Sequence, residues 1–135
     1  MSGFRPVSGI AAMTLAFPTI GFAFLLYWYF SAVGHLDSAI LSIAGIPLTG
    51  GFVVLALAGL LMSLEIAKSA DTGIKGIMDL AFSVVLFAIG WVILFTQDFA
   101  QTEYFLILCL LQTADALGGG TVAIISARRD FATGA

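Results

Sequence analysis

The chemically most distinctive residue of this chain is a carboxylate placed inside an apolar run. Asp115 lies near the middle of residues 104–126, a predominantly apolar stretch that two arginines follow. A run of this length predicts a membrane-spanning helix, which would place Asp115 close to the bilayer midplane. Gln112 lies one turn earlier on the same side of this helix, and Thr113 follows it. Because ionisable groups are costly at that depth, these three residues form the candidate intramembrane polar site.

Two hypotheses explain the polar site. In the first, Asp115 is a packing residue that hydrogen-bonds to Ser83, to Ser63 or to a hydroxyl of a partner subunit, a contact of about 1 kcal/mol. In the second, Asp115 carries protons or binds a cation, with Gln112 and Thr113 as the nearest additional polar groups. The sequence leaves both hypotheses open.

Small residues form two stripes at helical spacing, one in each of two apolar runs. They are Gly59 and Ser63 in the second run, and Gly118, Gly119 and Ala123 in the last. Small residues at spacings of three or four let membrane helices approach each other closely. The sequence therefore predicts that these two helices form the closest packed pair.

The composition indicates a membrane protein. The 135 residues are 61% hydrophobic and only 10% charged, and the charged residues cluster between long apolar runs. Such a distribution is typical of spanning helices and not of an oily soluble core. We expect a single all-α domain over residues 1–135, with spans at about 9–33, 40–66, 77–97 and 104–126.

Proline and glycine modify two of these spans. Pro18 lies inside the first and removes a backbone donor there, so the sequence predicts a kinked helix. In the second span, Pro47 and the glycine pair Gly50 and Gly51 make the first half the least regular helix, whereas residues 53–66 are expected to be continuous helix.

The basic residues predict the topology. They lie at the amino terminus, in the link between spans two and three, and at the carboxyl terminus: Arg5, Lys68, Lys75, Arg128 and Arg129. In a four-helix bundle these regions share one side, and the two opposite links carry acidic residues instead. Since basic residues favour the cytoplasmic side, both termini are expected in the cytoplasm, with the protein integral to a cell's inner membrane.

The link between spans two and three alternates in charge at helical spacing. The residues of this charge ladder are Glu65, Lys68, Asp71, Lys75 and Asp79. Neighbours of opposite charge at spacings of three or four can pair on helical ends. The ladder is interpreted as a solvated connection, because exposed pairs contribute little, or alternatively as a docking surface for a cytoplasmic partner.

Several function classes are disfavoured by what the sequence lacks. It has one histidine, His35, and one cysteine, Cys109, so a bis-histidine haem or a familiar His/Cys zinc site within the membrane cannot be assembled. No basic run suits nucleic acid. We therefore expect no enzymatic activity, no metal and no cofactor.

The function predicted from these patterns is non-catalytic. We expect a small subunit or assembly partner of a larger membrane complex, either a transporter or an energy-transducing complex, in contact with lipid and with other membrane subunits or further copies of itself. The alternatives are a small oligomeric proton or cation channel or transporter that uses Asp115, and a phage-type pore former. Copurification in mild detergent distinguishes them, because stoichiometric larger partners favour the first and a homo-oligomer alone favours the others.

Overall fold

The computed structural model describes residues 17–68, 74–132 and 134, without the side chains of residues 74, 75 and 130. These residues are mostly helical. The elements are α1 (Gly21–Ala32), β1 (Ala39–Ile43), β2 (Ile46–Thr49), α2 (Gly50–Lys68), α3 (Ile74–Thr96), a 3-10 turn (Asp98–Ala100) and α4 (Glu103–Ala132). Among the described helices, α2, α3 and α4 are long and apolar enough to cross a membrane, and α1 is shorter.

The helices run alternately between two ends of the molecule. Thr19, Lys68 and Asp79 lie at one end, which we call the link end because residues 69–73 connect α2 to α3 there. The hairpin end carries the two strands, where the amide of Gly51 donates to the carbonyl of Leu36 at 2.8 Å. Tyr27 joins α1 to the α3–α4 connection at this end, because its hydroxyl donates to the carbonyl of Phe99 at 2.7 Å.

The predicted first span differs from the structure in its described part. Helix α1 begins at Gly21, so Pro18 precedes the helix instead of kinking its interior, and the expected helical residues 9–16 lie outside the described residues. The helix ends where Gly34 adopts a positive φ of 72°. The amide of His35 then donates to the carbonyl of Phe30 at 2.9 Å, which completes the glycine-dependent C-terminal cap.

The all-α prediction is wrong over residues 39–49. Instead of the start of a helix, this segment forms an antiparallel hairpin in which Ile43 pairs with Ile46. The connecting residues Ala44 and Gly45 both have positive φ, 52° and 80°, as a two-residue primed turn requires. Helix α2 starts only at Gly50, so the predicted span at 40–66 is part hairpin and part helix.

The described core lies in the half of the bundle toward the hairpin end. It consists of buried apolar residues from α1, α2, the 3-10 turn and α4: Ala23, Tyr27, Val54, Ala58, Ala100, Phe105, Leu108 and Cys109. The ring of Phe105 meets those of Phe24 and Tyr27 edge to face, with centroids 5.3 and 5.0 Å apart. Helix α4 is the central element, since it packs against α1, α2 and α3.

Candidate functional site: a polar cluster between α3 and α4

Asp115 meets two polar residues at the interface of α3 and α4, which together we call the Asp115 cluster. The Ser83 hydroxyl, on α3, donates to Oδ2 of Asp115. The Gln112 side-chain amide donates to the Ser83 hydroxyl at 2.7 Å and to its carbonyl oxygen at 3.0 Å. Ser83 is thus the partner found among the predicted hydroxyls, whereas Ser63 is exposed and donates to the carbonyl of Gly59 in its own helix.

The side-chain oxygen of Gln112 has no hydrogen-bond donor among the described residues, although the residue is completely buried. Its amide nitrogen must face Asp115 Oδ2 and the Ser83 carbonyl, since both of these only accept in the observed contacts. Exchanging the nitrogen and oxygen would therefore bring acceptors together. Among the residues that the structure describes, the cluster therefore holds one buried acceptor without a donor, which ordinarily costs free energy.

Thr113 does not join the Asp115 cluster. Its hydroxyl donates to the carbonyl of Cys109 at 2.7 Å and accepts from the Trp91 indole nitrogen at 3.0 Å. It nevertheless links the same two helices, because Trp91 belongs to α3 and Thr113 to α4. The prediction that Thr113 belongs to the polar site with Asp115 and Gln112 is therefore wrong, because one residue along a helix turns the side chain by about 100°.

A cavity of about 470 Å³ extends from the Asp115 cluster toward the link end, between α3 and α4. We call it the α3–α4 cavity. Its polar lining comprises Asp79, Ser83, Asp115 and Ser126. Its remaining lining is small or apolar: Gly76, Ile77, Leu80, Gly119, Gly120, Val122, Ala123, Ile124 and Ala127. The small stripe of α4 thus faces α3 across a cavity.

The predicted packing of the two small stripes is wrong. Gly59 and Ser63 are exposed on α2, and no described atom lies within 4 Å of the position that a Cβ at Gly59 would take. A Cβ at Gly118 likewise has no described atom within 4 Å, while a Cβ at Gly119 would lie 3.4 Å from Leu80 of α3. Helices α2 and α4 do contact each other, but through other residues: Gly51, where the Tyr104 ring occupies the space a side chain would need, and core residues such as Val54 and Leu108.

The charge ladder contains a buried member, which a solvated connection does not predict. Glu65 is only 2% exposed, and its Oε1 accepts from the Thr19 amide and hydroxyl at the start of α1. Lys68 contacts Glu65 Oε2 at 3.2 Å and Asp79 Oδ1 at 2.8 Å. Asp71 and the side chain of Lys75 lie outside the described residues.

These contacts create a second polar group, the Glu65 cluster of Thr19, Glu65, Lys68 and Asp79. It joins the Asp115 cluster through α3, since Asp79 and Ser83 are one turn apart on the side that lines the α3–α4 cavity. Polar groups therefore continue from the link end to Asp115.

Toward the hairpin end the polar groups give way to the apolar core. Phe105, Leu108 and Cys109 occupy α4 beyond Gln112, and all three are buried. Tyr27 fills the neighbouring space on α1 and directs its hydroxyl to Phe99 and Thr102 at the hairpin end. Among the described residues of one chain, the polar groups that begin at the link end therefore stop at Gln112.

Sequence reasoning found Asp115, Gln112 and Ser83 but missed Thr19 and the burial of Glu65. The signal for the first set was local, because a carboxylate in an apolar run stands out. Glu65 accepts from Thr19, a residue 46 positions away, and a contact between such distant residues cannot be predicted from periodicity. Across the residues described, no three His, Cys, Asp or Glu side chains gather as a metal site would require.

Comparison with protein-family models, curated proteins and solved structures finds no match to this chain.

Proposed function

We propose that the chain is a non-catalytic, four-helix protein of the inner membrane that serves as a small subunit or assembly partner of a larger complex. The complex would be a transporter or an energy-transducing assembly. The observation that carries this proposal is the β1–β2 hairpin, whose apolar side chains have no cover within the described chain.

The hairpin is unusual because it is apolar and exposed on both faces. All five residues of β1 are exposed, and alternate residues of a strand point to opposite faces. Its exposed large residues are Ile40, Leu41, Ile43 and Ile46, the last with 62% of its surface accessible. Contiguous exposed apolar surface of this kind is typical of an interaction site.

A protein partner suits the hairpin better than lipid does. Two strands alone leave the backbone N–H and C=O groups along both outer edges without partners in the ladder. Hydrocarbon offers no hydrogen bonds, so insertion into the bilayer core would leave these groups unsatisfied. A polypeptide can supply both apolar contacts and backbone hydrogen bonds, for example by adding a strand.

The proposed topology rests on charge and helix direction together. The described helices alternate in direction, so four crossings would return the carboxyl terminus to the link end, where Lys68 also lies. The hairpin and the 3-10 turn would then face the opposite side, where the sequence has no lysine or arginine. This arrangement follows the positive-inside bias and supports cytoplasmic termini.

Copurification of hairpin variants from the native membrane tests the proposed function. We expect the wild-type chain to retain a larger membrane partner at fixed stoichiometry in mild detergent. Ile43→Ser with Ile46→Ser should release that partner without unfolding the helices, because both side chains are exposed. The matched control, Ile43→Leu with Ile46→Leu, keeps the hairpin apolar and should retain the partner.

Two results would contradict this proposal. A homo-oligomer with no other protein would favour the conducting or pore-forming alternatives. Equal partner recovery with the serine and leucine variants would remove the hairpin from the interface, and with it the observation on which the proposal depends.

Proton or cation conduction is the second candidate, favoured by the polar groups that continue from Lys68 to Asp115. The apolar core beyond Gln112 argues that such a path would need an interface between copies. In liposomes with a pH-sensitive dye, wild-type flux that disappears in Asp115→Asn would support conduction, since Asn cannot carry a proton. Absence of flux from the wild type would exclude it.

A further inference from the structure

The α3–α4 cavity combines a carboxylate end with apolar walls. Asp115 and Ser83 line the end nearer the bundle core, and Leu80, Ile77 and Val122 provide hydrocarbon surface. Its volume of about 470 Å³ falls within the range of roughly 300–1,000 Å³ that is usual for small-molecule sites. The lining therefore matches a molecule with one polar, positively charged end and an apolar remainder.

The charges around the cavity define the polar end further. The Asp79 carboxylate already has Lys68 at 2.8 Å, whereas the described partners of Asp115, Ser83 and Gln112, are uncharged. Asp115 is therefore the carboxylate that could accept a cation. Intramembrane carboxylates are usually paired or line a functional pathway.

Gln112 supports the two polar residues at this end of the cavity. Its buried side-chain oxygen has no donor among the described residues, while its nitrogen contacts Ser83 and Asp115, which both line the cavity. Gln112 does not itself line the cavity, so its amide holds Ser83 and Asp115 in position from behind the cavity wall. An ammonium group supplies three N–H donors, and the carboxylate of Asp115 is the acceptor that the cavity offers them.

We propose that the α3–α4 cavity binds a singly charged organic ammonium ion with an apolar substituent, with Asp115 as its counter-ion. This inference is separate from the subunit role proposed above, because the cavity and the hairpin lie at opposite ends. A hard divalent metal ion fits less well, since calcium takes six to eight oxygen ligands and most of the cavity lining is apolar.

The proposal is tested by ligand binding to the full chain in phosphatidylcholine nanodiscs. The probe is phenethylammonium, and the control ligand is 2-phenylethanol, which has a similar shape without the charge. We expect saturable binding of one ammonium ion per chain by calorimetry, with the alcohol at least about tenfold weaker, a difference of 1.4 kcal/mol. Equal binding of the two compounds would overturn the assignment of Asp115 as counter-ion.

Variants separate the cavity from non-specific partition into lipid. Asp115→Asn should weaken phenethylammonium binding about tenfold or more, whereas Asp98→Asn at the hairpin end should leave it unchanged. Gly120→Leu should also abolish binding, because Gly120 lines the cavity and a side chain there meets open space. Gly118→Leu is the matched control, since Gly118 has similar space but does not line the cavity.

An ammonium group could come from a soluble amine or from an ethanolamine lipid. Replacing part of the phosphatidylcholine with phosphatidylethanolamine should weaken probe binding if the lipid headgroup is the ligand, and should leave it unchanged if the ligand is soluble. Undiminished binding by both Asp115→Asn and Gly120→Leu would contradict the proposed site for either source.

Discussion

Asp115 illustrates how a polar residue inside the membrane is accommodated by its immediate neighbours. The Ser83 hydroxyl and the Gln112 amide both donate to its carboxylate, so the helix pair supplies hydrogen bonds that lipid cannot. The same contacts join α3 to α4. The same contacts are therefore compatible with a packing role and with a ligand-binding role for Asp115. Substitutions distinguish the two roles when stability and binding are measured separately.

We expect Asp115→Asn to keep the fold, because Asn retains an oxygen that can accept from Ser83 and Gln112. Asp115→Leu removes the acceptor and should destabilise the protein by about 1 kcal/mol, the usual magnitude of an intramembrane hydrogen bond. Thermal unfolding in detergent measures both. If Leu and Asn were equally stable, the hydrogen bonds of Asp115 would contribute nothing to folding.

Glu65 should matter more for stability than its place in a charged link suggests. Glu65→Ala removes the acceptor for the Thr19 amide and leaves Lys68 with one carboxylate partner fewer. The Lys68 side chain is 27% exposed and keeps Asp79 as a partner, so we expect the loss to come mainly from the unpaired Thr19 donors. A buried donor without an acceptor costs about 1–3 kcal/mol, which should appear as early unfolding in detergent. Glu65→Gln keeps an acceptor for Thr19 and should cost less.

Ser63→Ala is the matched control for Glu65, because Ser63 lies on the exposed side of the same helix. Removing the Ser63 hydroxyl should change the free energy of unfolding little. A loss in Glu65→Ala no larger than in this control would mean that the Glu65 cluster does not hold α1 against α2.

At the scale of elements, the sequence predicted the three long helices but not the hairpin or the helix pairing. Helix α3 and the second part of α2 are long apolar runs without proline. Such runs are helical whatever packs against them, so the sequence alone predicts them. Residues 39–49 are as apolar as a helix, yet Ala44 and Gly45 turn the chain back on itself. A short apolar run cannot distinguish strand from helix by periodicity alone.

The predicted pairing of small stripes failed for a related reason. Spacing shows that Gly59 and Gly119 each lie on a smooth helix face, but it does not show which helix faces them. Tyr104 decides the contact between α2 and α4 by filling the space above Gly51.

Large residues at two glycines of α2 should therefore have opposite outcomes. Gly51→Leu places a side chain where its Cβ alone would lie 2.5 Å from the Tyr104 ring. Overpacking of this kind costs about 1–3 kcal/mol, so this variant should unfold earlier in detergent. A Cβ at Gly59 has no described atom within 4 Å, so Gly59→Leu should remain as stable as the wild type. If Gly59→Leu were less stable than Gly51→Leu, the result would support the packing of small stripes predicted from the sequence.

Cysteine crosslinking tests the same helix arrangement in the membrane. In a Cys109→Ala background, Leu80→Cys with Gly119→Cys should be linked by a short bifunctional thiol reagent, because a Cβ at Gly119 would lie 3.4 Å from Cδ1 of Leu80. Ser63→Cys with Ala123→Cys should remain unlinked within one chain. Efficient linking of the second pair alone would show that α4 faces α2 with its small stripe.

At the scale of the whole molecule, the described contacts give the relative directions of the helices, and the charges give their orientation in the bilayer. Contacts such as Thr19 with Glu65 show which helix ends meet. They carry no information about which membrane face those ends occupy. The distribution of lysine and arginine was readable from the sequence because it depends on counting alone.

Topology reporters test the proposed orientation directly. Fusions within residues 70–74 and after Phe131 should both report the cytoplasm, and fusions within residues 97–103 should report the opposite side. An insertion between Ala44 and Gly45, at the hairpin turn, should agree with residues 97–103. A cytoplasmic signal from either of these two positions would exclude four crossings with both termini inside.

The contact between Ser83 and Asp115 also has a consequence for how the chain enters the bilayer during synthesis. Helix α4 is the least apolar of the three long helices and α3 the most apolar, and an aspartate at a helix centre adds about 2.5–3.5 kcal/mol to the cost of insertion. Because Ser83 and α4's own Gln112 offer hydrogen bonds to that aspartate, α3 should accompany α4 out of the translocon. Membrane insertion of α4 would then depend on α3. Ser83→Ala should slow the integration of α4 during synthesis, even if the stability of the folded protein is unchanged.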